Sequence, residues 1–242
     1  MMNREIWERM ISPDVFSGDA LFSESMKRHT SLRIGGTADV FVSPKEILSL
    51  KNLIVLLKRN NIPFIIAGGG TNLLVRDNGI EDVVVSLTNF RRMEIVKKDA
   101  DVSIFAESGV PLQKLVSFAR ENGFSGMEGL VGIPGSLGGA IAGNAGSYGC
   151  EIKDIISSAT LMYSDGGLET VTPESLDFGY RSSGIKKGTL ILSAMIKLQR
   201  GVKEDVEEKM GNFLKEKRES QPLSEWSAGC VFKNHEGTSA GK

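Results

Sequence analysis

The sequence predicts an α+β fold built from two consecutive units and a shorter third segment. Three observations carry that prediction. Residues 39–87 show strand and helix patterns in the order β-α-β-β. Residues 93–198 read mainly as strands. The surplus of glycine falls largely in two tracts, one at 68–70 directly after a strand and one from Gly123 to Gly149 after a helix. The corresponding division is 1–88, 89–200 and 201–242.

Each element has its own signal. Residues 1–30 are polar and begin with a short amphipathic helix at about 3–10. DVFVS (39–43) reads as a strand and stops at Pro44. Pro44 opens a helix to about Asn60, with Ile47, Leu50, Ile54 and Leu57 on one face. PFIIAG (63–68) and EDVVVSL (81–87) are short apolar strands. Strands follow at 93–97 and 102–107 around the turn KKDAD, then a helix at 111–121 ended by Asn122-Gly123. Strands at 155–163 and 168–172 flank the hairpin signal Ser164-Asp165-Gly166-Gly167, and a strand at 189–198 closes the unit. From Val202 to Ser220 the charge pattern reads as a solvated amphipathic helix.

Composition narrows the function classes. A chain of 242 residues with 40% hydrophobic and 24% charged residues can bury a real core. Lys+Arg 29 against Asp+Glu 30 leaves a net charge of -1, so no basic excess is present to neutralise a phosphate backbone, and nucleic-acid binding is not expected. No apolar run approaches the roughly 20 residues that span a bilayer, and MMNREIWERM lacks the apolar core of a signal peptide. Cys150 and Cys230 lie far apart and form no framework, so a cytoplasmic protein is expected. His29 and His235 stand without a ligand cluster, so no metal is expected. Glycine is the outlier: the chain has 28, where average usage gives roughly 17.

Four stretches are candidates for chemistry. In AGGGTNLLVRDNGI (67–80), Gly68, Gly69 and Gly70 let successive N–H groups converge on an anion, with Thr71 and Asn72 as side-chain donors; a plain tight turn is the other reading. It is not a dinucleotide fingerprint, because Leu73 takes the third glycine position and LLVRDNG predicts a strand and turn instead of a helix. In GMEGLVGIPGSLGGAIAGNAGSYG (126–149), small residues let the backbone lie against an extended ligand. Ile133 and Pro134 would form an apolar wall, and a helix start near Ser136 would face a phosphate; a structural strand crossing is the alternative. FGYRSSGIKKG (178–188) offers Tyr180 and Arg181, the latter a planar carboxylate partner or a routine surface residue. SAGCVFKN (227–234) places Cys230, an inert buried thiol or a reactive one, beside Lys233 and Asn234. The tail GTSAGK (237–242) fails as a P-loop, with three residues between its glycines.

Taken in order, HTSLRIGGTADVFV (29–42), GGGTNLLVRD (68–77), the tract 126–149, YRSSGIK (180–186) and SAGCVFKN (227–234) resemble the UDP-N-acetylenolpyruvoylglucosamine reductases, the MurB family of cell-wall synthesis. The resemblance runs from His29 to the last residue. It implies the FAD-binding fold of the vanillyl-alcohol oxidase type, with two subdomains holding FAD and then a substrate domain. It puts FAD on Gly68, Gly69, Gly70, Thr71 and Asn72, and on Ile133, Pro134, Gly135, Gly139, Ala140, Asn144 and Gly146. NADPH would reduce the cofactor, and UDP-N-acetylglucosamine enolpyruvate would then take its place. Arg181 would stabilise the developing enolate, and Cys230, where many members have serine, would supply the proton. An ordinary thiol, with pKa near 8.5, is a readier acid than an alcohol. Tyr180, Lys233 and Asn234 would contact the UDP-sugar, with Ser147 and Tyr148 near the flavin edge. The spacing from Gly149 to Tyr180 implies the shorter subtype, and a monomer is expected. His235 stands where the family usually has proline. The family also continues past Lys242 to a catalytic glutamate, so the third domain is expected to be incomplete here. Two alternatives are an oxidase of the same fold and a non-catalytic FAD- or UDP-sugar-binding remnant.

Overall fold

A strand absent from the sequence reading opens the first sheet. β1 (Gly18–Ser25) alternates in exposure and pairs antiparallel with β2 (Thr37–Pro44). β2 lies parallel to β4 (Ile80–Ser86), and β4 lies parallel to β3 (Phe64–Ala67), giving the order β1-β2-β4-β3. A crossover helix, α1 (Ile47–Arg59), joins β2 to β3 as a parallel pair requires. The computed structural model describes residues 7–8, 11–12, 16–99, 101–222, 224–234 and 240. His235, most of the helix expected at 3–10 and most of the 237–242 tail lie outside them.

Pro44 ends β2 instead of opening the helix, whose N-cap is Glu46 in an extended conformation. A strand end tolerates proline because its missing N–H is not needed there. α1 buries Leu50, Leu53, Ile54 and Leu57, while Ile47 is exposed, so the apolar face turns by one position from the expected one. LLVRDNG forms a turn at Asp77-Asn78 but no strand. Its Arg76 carbonyl accepts from Gly36 and Gly79, and that pairing replaces a ladder.

The second sheet is antiparallel, in the order β11 (Leu168–Val171), β10 (Ile156–Met162), β12 (Leu190–Arg200), β6 (Asp101–Glu107) and β5 (Met93–Lys98). β7 (Phe124–Ser125) pairs with the end of β12. α2 (Leu112–Glu121) packs on this sheet through Leu112, Leu115, Val116 and Ala119. α5 (Lys203–Ser220) joins the same core through Val206 and Met210. Between them run α3 (Leu137–Ala142), the short ladder of β8 (Gly146–Ser147) with β9 (Cys150–Glu151), and α4 (Ile152–Ile155). α4 is fixed by a reciprocal cap between Glu151 and Asp154, so β10 begins one residue later than expected.

The two sheets are not independent. Leu190 and Leu192 of β12 and Met162 of β10 sit in the core of the first sheet, among Val40, Val83, Leu50 and Leu57. Beside that shared core, Gly68 after β3 lies against Ser136 at the start of α3, which brings the two glycine tracts together. Among the described residues, no helix is long and apolar enough to cross a membrane.

Candidate functional site

The two glycine tracts meet. β3 runs into Gly68–Asn72, and this turn lies against Gly135 and Ser136. A Cβ on Gly68 would sit 2.3 Å from Ser136 Oγ, so any other residue there would push this helix-capping hydroxyl aside. Gly70 is left-handed (φ 64), and a Cβ there would come within 1.8 Å of the His29 carbonyl oxygen. Its own carbonyl accepts from the Ser31 N–H at 3.1 Å. Among the described residues, the N–H groups of Gly69, Gly70 and Thr71 have no backbone acceptor. Unpartnered successive amides beside a left-handed residue make an anion-binding nest.

The second tract is held from beneath. Gln113 donates to the carbonyls of Leu130 and Ile133 at 3.0 and 2.7 Å and accepts from Gly132 N–H at 2.8 Å. Lys217, only 4% exposed, reaches from α5 to the Val131 carbonyl at 2.5 Å, and burial lowers its pKa. Ser136 caps α3 as the sequence predicts, but the first two amides of that helix donate to Val110 and Ser108 carbonyls. They are therefore spent on the fold and not offered to a phosphate. Ala140 is buried in the core of the second sheet and half-buried Ile133 packs against it, while Pro134 is exposed. Asn144 is fully buried: its amide donates to Glu151 and to the Gly179 carbonyl, and its oxygen accepts from Lys153 N–H. Its polar atoms serve the protein itself.

Cavities open on both sides of Ala67-Gly68. One of about 300 Å³ is lined by Arg28, His29, Thr30, Ser31, Gly69 and Thr88, among others. The other, of about 330 Å³, lies between the two sheets, with Ile66, Ser108, Ser136, Gly139 and Lys186 in its wall. The hydroxyl of Ser108 is buried with no hydrogen-bond partner. Of the residues expected to hold FAD, Gly68, Gly69 and Gly139 line these cavities. Sequence reasoning missed Ser43, Ser86, Thr88 and Ser108, isolated polar positions in the walls with no motif to mark them. Ser183 and Lys187, also in the walls, belong to the third candidate stretch. The free amides, the orphaned hydroxyl and the paired cavities fit an elongated cofactor carrying a pyrophosphate.

The remaining candidates divide. Arg181 is left-handed (φ 55), half-buried, and donates from Nη2 to the Gly146 carbonyl at 3.2 Å. A non-glycine residue held in that region is a strained position of the kind found at functional sites. Tyr180 is exposed, and its hydroxyl accepts from Asn234 N–H at 3.3 Å, which joins the third and fourth candidate stretches. Cys230, Lys233 and Asn234 are exposed. Asn72 does not turn its amide toward the nest: Nδ2 donates to the carbonyls of Ala228 and Cys230 at 2.6 and 3.1 Å. Ser147 donates to the Gly129 carbonyl, and Tyr148 stacks on Phe213 of α5 at 4.3 Å, so both are engaged away from the Gly68–Asn72 turn.

The two cysteines differ sharply. Burial, followed by nearby Asp154, Glu128 and Glu151, pushes the Cys150 thiol up to about 11. A raised thiol pKa leaves almost no thiolate at pH 8, and thiolate is the nucleophile. Alkylation at pH 8 is therefore expected to label exposed Cys230 first and leave Cys150 unmodified in the folded protein. Peptide mass mapping over time checks this; equal labelling of both would contradict it.

This fold and nest define an FAD-binding domain. The family model described as "FAD binding domain" matches residues 38–172. The chain is 41% identical to the UDP-N-acetylenolpyruvoylglucosamine reductase of Geotalea uraniireducens, over 92% of this chain and 73% of that one. It is 39% identical to the reductase of Clostridioides difficile over 100% of this chain and 79% of the other. Thus the chain belongs to the UDP-N-acetylenolpyruvoylglucosamine reductase (MurB) family. Among solved structures it is similar to the enzyme of that name from Thermus caldophilus, with a TM-score of 0.77, 32% identity, and coverage of 93% of this chain and 77% of that one. Cholesterol oxidase from B. sterolicum, at 14% identity and a TM-score of 0.58 over 78% of this chain and 38% of its own, shares the fold alone.

Proposed function

We propose that this chain reduces UDP-N-acetylglucosamine enolpyruvate to UDP-N-acetylmuramate, using FAD and NADPH, in the making of peptidoglycan precursors. The observation that carries this reading is the meeting of the two glycine tracts, with three free amides at their junction, in a chain of the reductase family. We assign residues 1–88 and 89–200 to the two flavin-holding units and 201–242 to part of a substrate-binding domain, in a cytoplasmic monomer.

Bound FAD, once reduced, would supply a hydride, which carries both electrons of the reduction. The amides of Gly69, Gly70 and Thr71 would hold a phosphate of the cofactor. Arg181 faces the substrate carboxylate, where negative charge grows as the vinyl carbon receives hydride. Cys230 gives its proton to the adjacent carbon, so two hydrogens add across the C=C bond, and the thiol regains its proton from water. Tyr180, Lys233 and Asn234 contact the UDP-sugar. The bond from Asn234 N–H to the Tyr180 hydroxyl supports this grouping, because it ties Tyr180 to the backbone of the segment that carries Lys233 and Asn234.

Cys230→Ala separates the roles. Flavin reduction by NADPH is expected to stay near wild type in stopped flow, while the enolpyruvate half-reaction slows by about 10²–10⁴-fold, the usual contribution of a positioned acid. Equal losses in both halves would mean that Cys230 is structural.

A further inference from the structure

The segment carrying Cys230 is anchored at three separated points. Ser31 Oγ donates to the Ser227 carbonyl at 2.5 Å, and the Arg33 guanidinium lies over Trp226 at 4.7 Å. Asn72 Nδ2 donates to the Ala228 and Cys230 carbonyls. Tyr180 accepts from Asn234 N–H. Between the first and last anchors, Gly229 is left-handed (φ 66), with its N–H on Ser227 Oγ, and Cys230, Val231 and Phe232 are exposed. Among the described residues, exposed Cys230 is not held by apolar packing, and Asn72 is the described side chain that grips the peptide of Cys230 itself.

From this geometry we infer that Asn72 is a positioning residue for the proton donor, acting through the backbone of Cys230. The inference rests on the reductase reading above. A primary amide suits the task because its two N–H groups can each take one carbonyl, here at positions 228 and 230. Two acceptors fixed by one planar group set both the location and the twist of the intervening peptides. Reach toward the developing carbanion is thereby set by the same turn that offers Gly69–Thr71 amides to the cofactor. A placement error near 1 Å in a reacting group costs about 10²-fold in rate.

Two measurements decide it. The first needs no turnover: chymotrypsin cuts after Trp226 and Phe232, both exposed, and Asn72→Ala is expected to speed cleavage there several-fold while cuts elsewhere keep their rates. Unchanged cleavage in 226–234 would overturn the inference. The second is a double-mutant cycle in the enolpyruvate half-reaction, read by stopped flow at saturating substrate. Asn72→Ala is expected to slow it about 10-fold or more in the wild-type background and to add little to Cys230→Ala, since the thiol it positions is gone. Equal slowing in both backgrounds, or a loss of FAD affinity that accounts for the whole effect, would overturn it, since Asn72 would then serve the cofactor. Asn72→Gln, which keeps both donors on a longer arm, is expected to recover part of the rate. If the wild-type protein does not react with the enolpyruvate, the reductase reading fails with the catalytic role, and the cleavage result alone still reports whether Asn72 holds the segment.

Discussion

Gly70→Ala is expected to release the cofactor and lower the melting temperature together. The residue is left-handed (φ 64), and its Cβ would meet the His29 carbonyl oxygen at 1.8 Å, which is backbone and cannot swing away. A left-handed alanine costs about 1–2 kcal/mol, and forced displacement of packed neighbours adds about 1–3 kcal/mol. The sum is about 2–5 kcal/mol, equivalent to a Tm fall of about 4–20 °C for a chain of this size. The displacement also moves the Gly69–Thr71 amides, so FAD affinity is expected to fall about 10-fold or more, a loss of about 1.4 kcal/mol. Thermal unfolding and a flavin fluorescence titration check both effects. An unchanged Tm with unchanged flavin binding would show that the turn relaxes freely and is not a cradle.

Arg181→Gln is expected to slow the enolpyruvate half-reaction by about 10²–10³-fold, the usual cost of removing one preorganised donor from a site of developing charge. Arg181→Lys keeps the charge but not the planar fork, and an intermediate rate is expected. Neither change should abolish flavin binding, because the amides assigned to the cofactor lie on another turn. The same guanidinium also acts on Glu151, whose carboxyl is held below the usual range first by its hydrogen bond from Lys153, against burial, and with help from Asn144 and Arg181. Stopped-flow reoxidation across pH separates the two effects. A rate within a few-fold of wild type for Arg181→Gln would remove Arg181 from the chemistry and leave it as a tie to the Gly146 carbonyl.

The sequence was most legible where period and chain chemistry agreed. α2 carries Leu112, Leu115, Val116 and Ala119 at helical spacing, and its end at Asn122-Gly123 was marked by residue type. The nest was legible because three successive glycines follow an apolar strand. β1 was not: GDALFSES is half-buried on an edge, and its alternation is weak until it pairs with β2. At the site, chemistry was legible one motif at a time, while direction was not. Asn72 sits in the right turn, yet its amide faces the carbonyls of residues 156 and 158 positions further along the chain. Ala140 sits in the right tract, yet its side chain is buried in the core of the second sheet. Ser108 shares the cavity wall with Gly138, which is pressed against it, with a would-be Cβ 2.8 Å from Ser108 Cβ. Such facts depend on tertiary packing, which period and composition do not encode.

The central claim is a flavin held at the junction of two glycine tracts and discharged onto an enol ether. An anaerobic visible spectrum of the purified chain with FAD, followed through addition of NADPH and then of UDP-N-acetylglucosamine enolpyruvate, tests it most directly. The predicted result is a flavin band that bleaches with NADPH and returns with the second ligand. A chain that shows no bound flavin even with FAD in excess, or a bleached flavin that the enolpyruvate leaves colourless, would contradict it.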